Sequence, residues 1–412
     1  MSSPSLSRIA RIFHRIGWLS FGGPAAQIAL MHRTIVDEER WLDEPRYLRA
    51  LSFCMLLPGP EAMQVATYAG WSQRGVLGGL IAGGLFVLPG ALVIAALALA
   101  YSALGTAPLA EALLLGVQAT VIVIVLQALW RLSSRSLKGP ARLVLALAAF
   151  IAIYALDLPY PAILAVAAGI GALAFREDAP GEAAPALPSL PLRTITLWTA
   201  LWLAPLAFLW IADAPFLTSV GAFFAKLAVV SFGGAYAALA YMAQDAAWVD
   251  AETMIDALGL AETTPGPLVL ATQFVAMSAG HEAGGAVLSV LAGLLTLWMM
   301  FLPSFLFIFA FAAHIDWLSG RPGLSGALSG VTAAVVGVIL NLSVFFALNV
   351  LFAETRQLSG GPFDVEVPVF ASLSPLALGL TLFAGGLIFL LNRNIVTTLA
   401  LTAALSAAIS LL

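Results

Sequence analysis

The chain has 412 residues, of which 61% are hydrophobic and only 10% are charged, and its formal net charge is −4. Soluble domains carry about 25% charged and about 45–50% apolar residues, so this composition excludes a water-soluble protein. The single cysteine, Cys54, excludes an intrachain disulfide and a cysteine-based metal cluster. We therefore expect an integral membrane protein.

Apolar elements follow one another along the chain, and several reach the roughly 20 residues that a spanning helix needs. The N-terminus, with its spaced arginines, lacks the compact apolar core and cleavage site of a signal peptide. The first half contains six elements, at about 8–31, 47–69, 75–104, 110–131, 141–157 and 159–175. One unpaired helix at about 194–212 precedes six more, at about 216–242, 253–279, 284–314, 324–352, 371–391 and 394–412.

Two short motifs occur once in each half. Ser20-Phe21-Gly22-Gly23 recurs 211 residues later as Ser231-Phe232-Gly233-Gly234, and Pro58-Gly59-Pro60 recurs 207 residues later as Pro265-Gly266-Pro267. Because one extra helix follows the six elements of the first half, the second copy has the opposite orientation in the membrane. We predict an all-α polytopic membrane protein with two inverted-topology repeats, an architecture typical of secondary transporters.

Beyond these motifs the repeat continues at an offset of 214, which aligns Gly79 with Gly293 and Pro89 with Pro303. The stretch between the two halves is rich in Ala, Pro and Glu, which predicts a flexible linker. The predicted organisation is an N-terminal transport repeat at 1–175, the linker at 176–193, a topology-inverting helix at 194–215 and a C-terminal transport repeat at 216–412.

The placement of positive charge favours re-entrant hairpins. If every element spanned the membrane, the segment 32–49 with its four arginines would lie outside. If the elements interrupted at Gly-Gly and at Pro-Gly-Pro are hairpins, that segment becomes cytoplasmic and Arg356 is the only loop cation outside. The positive-inside rule favours the second arrangement. It predicts nine spans, four hairpins, a cytoplasmic N-terminus and a periplasmic C-terminus.

The glycine and proline motifs predict helix breaks at membrane depth. Proline removes a backbone donor and glycine permits unusual dihedrals, so helices stop there and restart at a proline. A helix N-terminus carries roughly half a positive charge and suits an anion. Kinks that merely help helices pack are the alternative, but paired breaks in a duplicated chain favour a substrate site. The candidates are Ser20, Gly22, Gly23, Pro24, Gly59, Pro60, Ser231, Gly233, Gly234, Gly266 and Pro267.

Two cations reinforce the expectation of an anion site. Arg15 and Lys226 each lie five residues before a Ser-Phe-Gly-Gly motif, so the repeat relates them across the midplane. Cations inside a membrane are costly and usually functional, and two of them beside helix N-termini would suit a small dianion. Alternatively, Arg15 is an interfacial anchor and Lys226 extends its charge to the interface.

Carboxylates near the breaks are candidates for proton coupling. Glu61 follows the first Pro-Gly-Pro, and Glu262 precedes the second by three residues. Burial disfavours the charged form of a carboxylate, so both could exchange protons during transport. Capping of a helix is the alternative for Glu61, and a structural hydrogen bond to nearby backbone is the alternative for Glu262. His32, Arg33 and Arg74 are candidates for the path by which an anion reaches the site.

The sequence lacks the motifs that are typical of other functional classes. There is no Gly-rich phosphate loop, no metal-ligand cluster, no nucleophile–base pair and no basic stripe for nucleic acid. We therefore expect no catalytic residue, no metal and no cofactor, and a transporter or channel rather than an enzyme. Glycine-rich helix faces are also compatible with a homodimer.

The motifs resemble those of the chromate ion transporter family, in its long, two-domain form. The first-half stretches are Phe21-Gly-Gly-Pro-Ala-Ala-Gln-Ile-Ala-Leu-Met-His-Arg33, Leu57-Pro-Gly-Pro-Glu61 and Gly83-Gly-Leu-Phe-Val-Leu-Pro89. In the second half they are Ser231-Phe-Gly-Gly-Ala-Tyr236 and Glu262-Thr-Thr-Pro-Gly-Pro267. The linker 176–193 and the loop 353–370 carry no family motif.

The resemblance implies a bacterial inner-membrane protein that exports chromate, confers chromate resistance and draws energy from the proton gradient. Sulfate is the chemically similar competitor that it implies. Two alternatives remain open at this stage. One is a transporter of sulfate or another oxyanion with the same fold, and the other is a passive anion channel.

Overall fold

The computed structural model describes residues 4–104, 107–175, 191–246, 248–315, 322–361 and 363–411. Most of the predicted linker, residues 176–190, lies outside these ranges, and its last residues belong to the next helix. The helices are α1 Leu6–Leu19, α2 Gly23–His32, α3 Glu44–Met55, α4 Glu61–Leu104, α5 Pro108–Ser136, α6 Pro140–Tyr154, α7 Tyr160–Ala174, α8 Leu192–Ile211, α9 Pro215–Val230, α10 Ala235–Asp245, α11 Ala251–Thr263, α12 Ala271–Phe311, α13 Pro322–Leu351, α14 Pro375–Gly385 and α15 Ile395–Ser410.

The predicted all-α polytopic membrane protein is confirmed. Five helical segments of the described chain are long and apolar enough to cross a membrane. They are Glu61–Leu104, Pro108–Ser136, Leu192–Ile211, Leu268–His314 and Gly323–Leu351. One segment departs from the expectation of helices joined by loops, since Thr355–Gly360 (β1) and Phe363–Pro368 (β2) pair as an antiparallel hairpin. This hairpin falls in the loop 353–370.

The helix breaks occur at the predicted motifs and have matching geometry in the two halves. Ser20 ends α1 and Ser231 ends α9, each in an inverse γ-turn conformation with φ −82° and −77° and ψ 70° and 62°. The two glycines that follow each serine have positive φ values between 77° and 89°. A side chain is strained in that region, so the glycines let the chain turn before α2 and α10 begin.

Both long helices, α4 and α12, contain a sharp reversal. Non-helical dihedrals occur at Arg74 and Gly75 in α4 and at Gly284 and Gly285 in α12. A Cβ added to Gly70 would lie 2.2 Å from the Gly78 carbonyl oxygen, so the arms on either side of the α4 reversal are packed backbone to backbone. The arm before the reversal, residues 61–73, is only about 20 Å long and is shorter than the membrane core of roughly 30 Å.

The chain divides into two compact units, and each combines segments of both halves. Unit 1 comprises residues 1–102, 179–235 and 264–321, so it contains both Ser-Phe-Gly-Gly motifs and both Pro-Gly-Pro motifs. Unit 2 comprises residues 103–178, 236–263 and 322–412, and in it α13 packs on α5, α6 and α7. The boundaries of the sequence repeats are a separate prediction that this division does not test.

Candidate functional site

Each Pro-Gly-Pro break is hydrogen-bonded to the serine break of the other half. The Gly59 N–H donates to the Ser231 carbonyl at 3.1 Å, and the Gly266 N–H donates to the Ser20 carbonyl at 2.9 Å. We call Pro58–Pro60 with Ser231 the Gly59 junction, and Pro265–Pro267 with Ser20 the Gly266 junction. Both junctions lie within unit 1.

The sequence explains why these particular groups pair. Proline has no N–H, so the central glycine is the only backbone donor of a Pro-Gly-Pro tripeptide. Each serine ends a helix, where the last carbonyls lack partners within the helix. Gly59 and Gly266 have φ values of 104° and 92°, a conformation that is strained for any residue with a Cβ. A lone donor and an orphaned carbonyl therefore satisfy one another in each junction.

Close packing against the long helices fixes each junction. A Cβ added to Gly90 of α4 would lie 2.2 Å from the Pro265 carbonyl oxygen, so that contact requires glycine. The position that corresponds to Gly90 at the offset of 214 is Ser304 of α12. A Cβ added to Gly59 would lie 3.3 Å from the Ser304 hydroxyl, so Ser304 borders the Gly59 junction as Gly90 borders the Gly266 junction.

A buried glutamine is attached to each junction. Gln27, 1% exposed, donates from Nε2 to the Gly266 carbonyl at 2.6 Å and to the Ser20 carbonyl at 3.4 Å. Gln64, 0% exposed, donates to the Pro58 carbonyl at 2.7 Å. The Oε1 atoms of both glutamines, and the Ser231 hydroxyl, have no hydrogen-bond partner among the described residues.

New helices begin beside the junctions. Gly22 caps α2 without any side-chain hydrogen bond, and Pro24 stands in the first turn of that helix. Pro60 directly precedes α4, and Pro267 precedes a short 3₁₀ turn, Leu268–Leu270, that leads into α12. The first turn of a helix has N–H groups without intrahelical acceptors, which together with the helix dipole attract anions. These N-termini belong to the elements that form the junctions.

Arg15 and Lys226 both occupy exposed positions near the ends of their helices. Arg15 is on the exposed face of α1 together with Arg11, opposite the buried Phe13 and Ile16. Lys226 has the corresponding place on α9, five residues before Ser231. The structure thus leaves both cations on accessible surfaces of unit 1 and does not insert either side chain into the packed interior.

The two candidate carboxylates have different surroundings. Glu61 is half-buried in the first turn of α4, within unit 1. Glu262 is 3% exposed in α11, within unit 2, and accepts a hydrogen bond from the Tyr236 hydroxyl at 2.8 Å. Arg131 also interacts electrostatically with Glu262. The hydrogen bond of Glu262 thus comes from a side chain and not from nearby backbone, and the Oε2 atom has no hydrogen-bond partner among the described residues.

The three residues predicted for an access path make local contacts. The His32 ring contacts Glu44 at 2.5 Å, and Arg33 lies 3.6 Å from Glu38, so both side chains contact acidic residues between the end of α2 and the start of α3. Arg74 lies at the reversal of α4 and donates from Nε to the Pro4 carbonyl at 2.6 Å. A 13-residue arm, about 20 Å long, separates this reversal from the Gly59 junction.

Several residues at or near the breaks were not among the predicted site residues. Gln27 and Gln273 are polar side chains within apolar helices, and this intramembrane polarity was a usable sequence feature. Gly90 and Ser304 follow the aligned prolines, but nothing in their local sequence indicates what they contact. In unit 2, Asp256 is fully buried and accepts a hydrogen bond from Gln118 at 2.9 Å.

Comparison with known proteins identifies the family of this chain. The family model described as chromate transporter matches residues 7–172 and 218–410, two segments that coincide with the two predicted repeats. The chain belongs to the chromate transporter family. The family resemblance expected from the motifs is thereby confirmed.

Named relatives align with most of this chromate transporter family member. A chromate transport protein of Pseudomonas aeruginosa is 32% identical over 403 residues, which cover 95% of this chain and 87% of the relative. A chromate transport protein of Cupriavidus metallidurans is 29% identical, covering 83% of each chain. A probable chromate transport protein of Synechococcus elongatus is 28% identical over 81% of this chain and 83% of the relative. No solved structure matches this chain.

Proposed function

We propose that this member of the chromate transporter family is a secondary transporter that exports chromate across the bacterial inner membrane. The observation that carries the proposal is the reciprocal pair of junctions, in which breaks from the two halves are joined by the Gly59–Ser231 and Gly266–Ser20 hydrogen bonds. Broken helices paired in this way present helix ends and backbone groups where a substrate binds in inverted-repeat transporters. The names of the relatives support chromate as the substrate.

In this proposal the anion binds beside the junctions. Unsatisfied N–H groups in the first turns of α2 and α4 would hold the oxygen atoms, and the Ser231 hydroxyl would add a further donor. Arg15 and Lys226 would supply compensating positive charge from the helices that end at the junctions.

Glu61 and Glu262 are proposed as the proton-coupling groups. Glu61 occupies the first turn of α4, where its negative charge and a bound anion compete for the same positive end of the helix. Protonation of Glu61 removes that competition and favours the anion. Proton binding and anion binding therefore favour one another, so the proton would leave together with the anion, and the outward drive would come from the membrane potential acting on the remaining negative charge.

Outward movement follows from the sign of the membrane potential. In a cell that is negative inside, moving one elementary charge across 100 mV is worth about 2.3 kcal/mol, so an exported anion gains about 2.3 kcal/mol for each net negative charge that it carries out. Export would confer chromate resistance. In this proposal the N-terminus is cytoplasmic and the C-terminus is periplasmic. The same electrical driving force would also act on an uncoupled anion channel, which is the second candidate function.

Chromate flux measured in proteoliposomes tests the proposal. The flux is recorded with and without an imposed pH gradient, at fixed membrane potential, and with excess sulfate as competitor. Accumulation that requires the pH gradient and resists sulfate supports a coupled chromate transporter. Flux that follows only the chromate gradient and the potential supports the channel, and strong competition by sulfate supports a general oxyanion transporter.

A further inference from the structure

The junctions contain hydrogen-bond acceptors with no donor, and this is unexpected for a site that binds a bare oxyanion. Gln27 and Gln64 are 1% and 0% exposed, and the Oε1 atom of each has no partner among the described residues. A third amide oxygen, Gln273 Oε1, also has no hydrogen-bond partner among the described residues. The Gln273 Nε2 group donates to the Ala91 carbonyl at 3.1 Å. A buried acceptor that lacks a donor costs stability, so each such atom calls for a donor from a ligand or from water.

The orientation of the two junction glutamines is determined by their neighbours. The oxygen and nitrogen of an amide must be assigned from the hydrogen-bond network. Both Nε2 groups face backbone carbonyls, at Gly266 and at Pro58, and a carbonyl can only accept. The amide nitrogen must therefore point at the backbone, which leaves each oxygen directed away from it.

A lone acceptor repels a fully deprotonated oxyanion but pairs with a hydroxyl. A monoprotonated oxyanion has one O–H that donates and several oxygens that accept. The junctions offer the complementary groups, since the Ser231 hydroxyl and the helix N-termini can donate while the glutamine oxygens can only accept. We propose that the species bound at the junctions is the monoprotonated anion, hydrogen chromate, with its hydroxyl donating to Gln27 or Gln64 Oε1. This inference rests on the proposed function.

A site that binds hydrogen chromate through its hydroxyl can select chromate over sulfate. The two dianions are both tetrahedral and similar in size, so shape discriminates weakly between them. Hydrogen chromate loses its proton near neutral pH, whereas hydrogen sulfate loses its proton only in strong acid. Sulfate at neutral pH has no hydroxyl to donate, and it would leave the glutamine oxygens unpaired. A site built to hydrogen-bond a hydroxyl strongly rejects an analogue that lacks it.

Other titratable groups lie on the elements that form the junctions, and they affect any anion. Within about two turns of the breaks in unit 1 they are His14, Arg15, Cys54, Glu61 and Lys226. The charges of these groups act on bound chromate and on bound sulfate. The sulfate profile therefore serves as the baseline, and the difference between the two profiles reports the proton carried by the substrate.

The first test measures chromate and sulfate binding to the purified wild-type protein between about pH 6 and about pH 8.5. The concentration of hydrogen chromate falls roughly tenfold per pH unit above its ionisation, so the apparent chromate affinity should fall equally steeply. Sulfate binding should be weaker than chromate binding, and it should fall less steeply with pH. Parallel pH profiles for the two anions would overturn the inference while leaving an anion site intact. Failure of both anions to bind at any pH would instead reject the proposed function.

A pair of competitor anions tests the hydroxyl without any mutation. Hydrogen phosphate has a hydroxyl at neutral pH, and monofluorophosphate has fluorine in its place and is otherwise similar in shape and charge. Hydrogen phosphate should displace chromate at least tenfold more effectively than monofluorophosphate. Equal displacement by the two anions would overturn the inference, and this result does not depend on the folding of any variant.

Substitution of the glutamines assigns the effect to the junctions. Gln27→Met and Gln64→Met remove the acceptor oxygens, so the preference for chromate over sulfate should fall at least tenfold. Gln73→Met is the matched control, because the Gln73 amide also donates to a backbone carbonyl, that of Trp41, at a distance from both junctions. An unchanged preference in folded Gln27→Met and Gln64→Met proteins would overturn the assignment.

Discussion

The backbone N–H of Gly266 donates a hydrogen bond to the carbonyl oxygen of Ser20, although 246 positions separate the two residues along the chain. The Gly59 to Ser231 bond repeats the relationship with the halves exchanged. Each half thus contributes the helix end that the other half's Pro-Gly-Pro requires. A change at either junction is therefore expected to affect a site that both halves build.

The contact between Gly90 and Pro265 should tolerate no side chain. Gly90→Ala would place a Cβ 2.2 Å from a backbone carbonyl oxygen, which cannot move aside as a flexible side chain would. We expect a destabilisation of about 1–3 kcal/mol and loss of chromate transport. Gly84→Ala in the same helix is the control, because its Cβ would meet nothing within 4 Å. Thermal unfolding and vesicle flux measure both effects, and equal behaviour of the two variants would contradict the prediction.

Arg15 and Lys226 should matter for transport because of their charge. Arg15→Gln and Lys226→Gln should each lower chromate transport roughly tenfold, which corresponds to about 1.4 kcal/mol of anion binding. Arg11→Gln is the control, since Arg11 is also exposed and lies one turn earlier on α1. Initial rates in proteoliposomes at equal protein content provide the measurement. Wild-type rates for both Arg15→Gln and Lys226→Gln would remove the paired cations from the site.

Neutralising Glu61 should flatten the pH dependence of anion binding. In the wild type, the Glu61 carboxylate opposes an anion at the N-terminus of α4 once it is deprotonated, so affinity should fall as the pH rises. Glu61→Gln should retain its low-pH affinity at high pH, and sulfate is the suitable probe because it does not take up a proton in this range. Glu111→Gln, in the first turn of α5, is the control. A sulfate profile in Glu61→Gln that still falls like the wild type would exclude this role.

The Tyr236 hydroxyl should adjust the proton affinity of Glu262. Its hydrogen bond of 2.8 Å stabilises the charged carboxylate, so Tyr236→Phe should favour the protonated form. We expect the pH profile of transport to move to higher pH while the protein remains folded. Tyr154→Phe is the matched control in the same unit, because it removes a hydroxyl bond to the Glu366 carbonyl. Identical pH profiles for Tyr236→Phe and the wild type would separate Glu262 from coupling.

Cysteine labelling should decide between hairpins and full spans. Cys54 is buried and is the only cysteine, so Cys54→Ala gives a background without thiols. In that background, Asp37→Cys should react only from the cytoplasmic side and Arg356→Cys only from the periplasmic side. Both residues are exposed, which makes them a matched pair. Labelling of both positions from the periplasm would restore the arrangement in which every element spans.

Sequence comparison alone does not decide which glycines of the two halves correspond to each other. The offset of 214 aligns Gly79 with Gly293, but Gly293 lies against Gln273 and Met277. Gly83 lies against Met63 and Thr67 in the same way, but Gly79 also lies against the Thr67 carbonyl. Glycines spaced by four residues occupy the same face of a helix, and a shift of one turn leaves the apolar pattern unchanged. The register of the repeat at these glycines therefore stays a prediction.

The β1–β2 hairpin and the junction glutamines were missed for different reasons. The residues Phe363-Asp-Val-Glu-Val367 alternate between apolar and polar after Gly360-Gly361, and this pattern predicts a strand after a turn, so the hairpin had a usable sequence signal. Gln27 is a conspicuous polar residue in an apolar helix, but its partner is the carbonyl of Gly266 in the other half. Local sequence cannot indicate a contact between positions so distant along the chain.

The sequence by itself determined the membrane class, the duplication, the places where helices break and the family, because composition, periodicity and helix-breaking residues act locally. The tertiary structure decided which break meets which. It paired Gly59 with Ser231 and Gly266 with Ser20, and it oriented the glutamine oxygens that have no partner in the described part of the chain. A lone glycine donor can satisfy any orphaned carbonyl within reach, so the choice depends on how the two halves fold together.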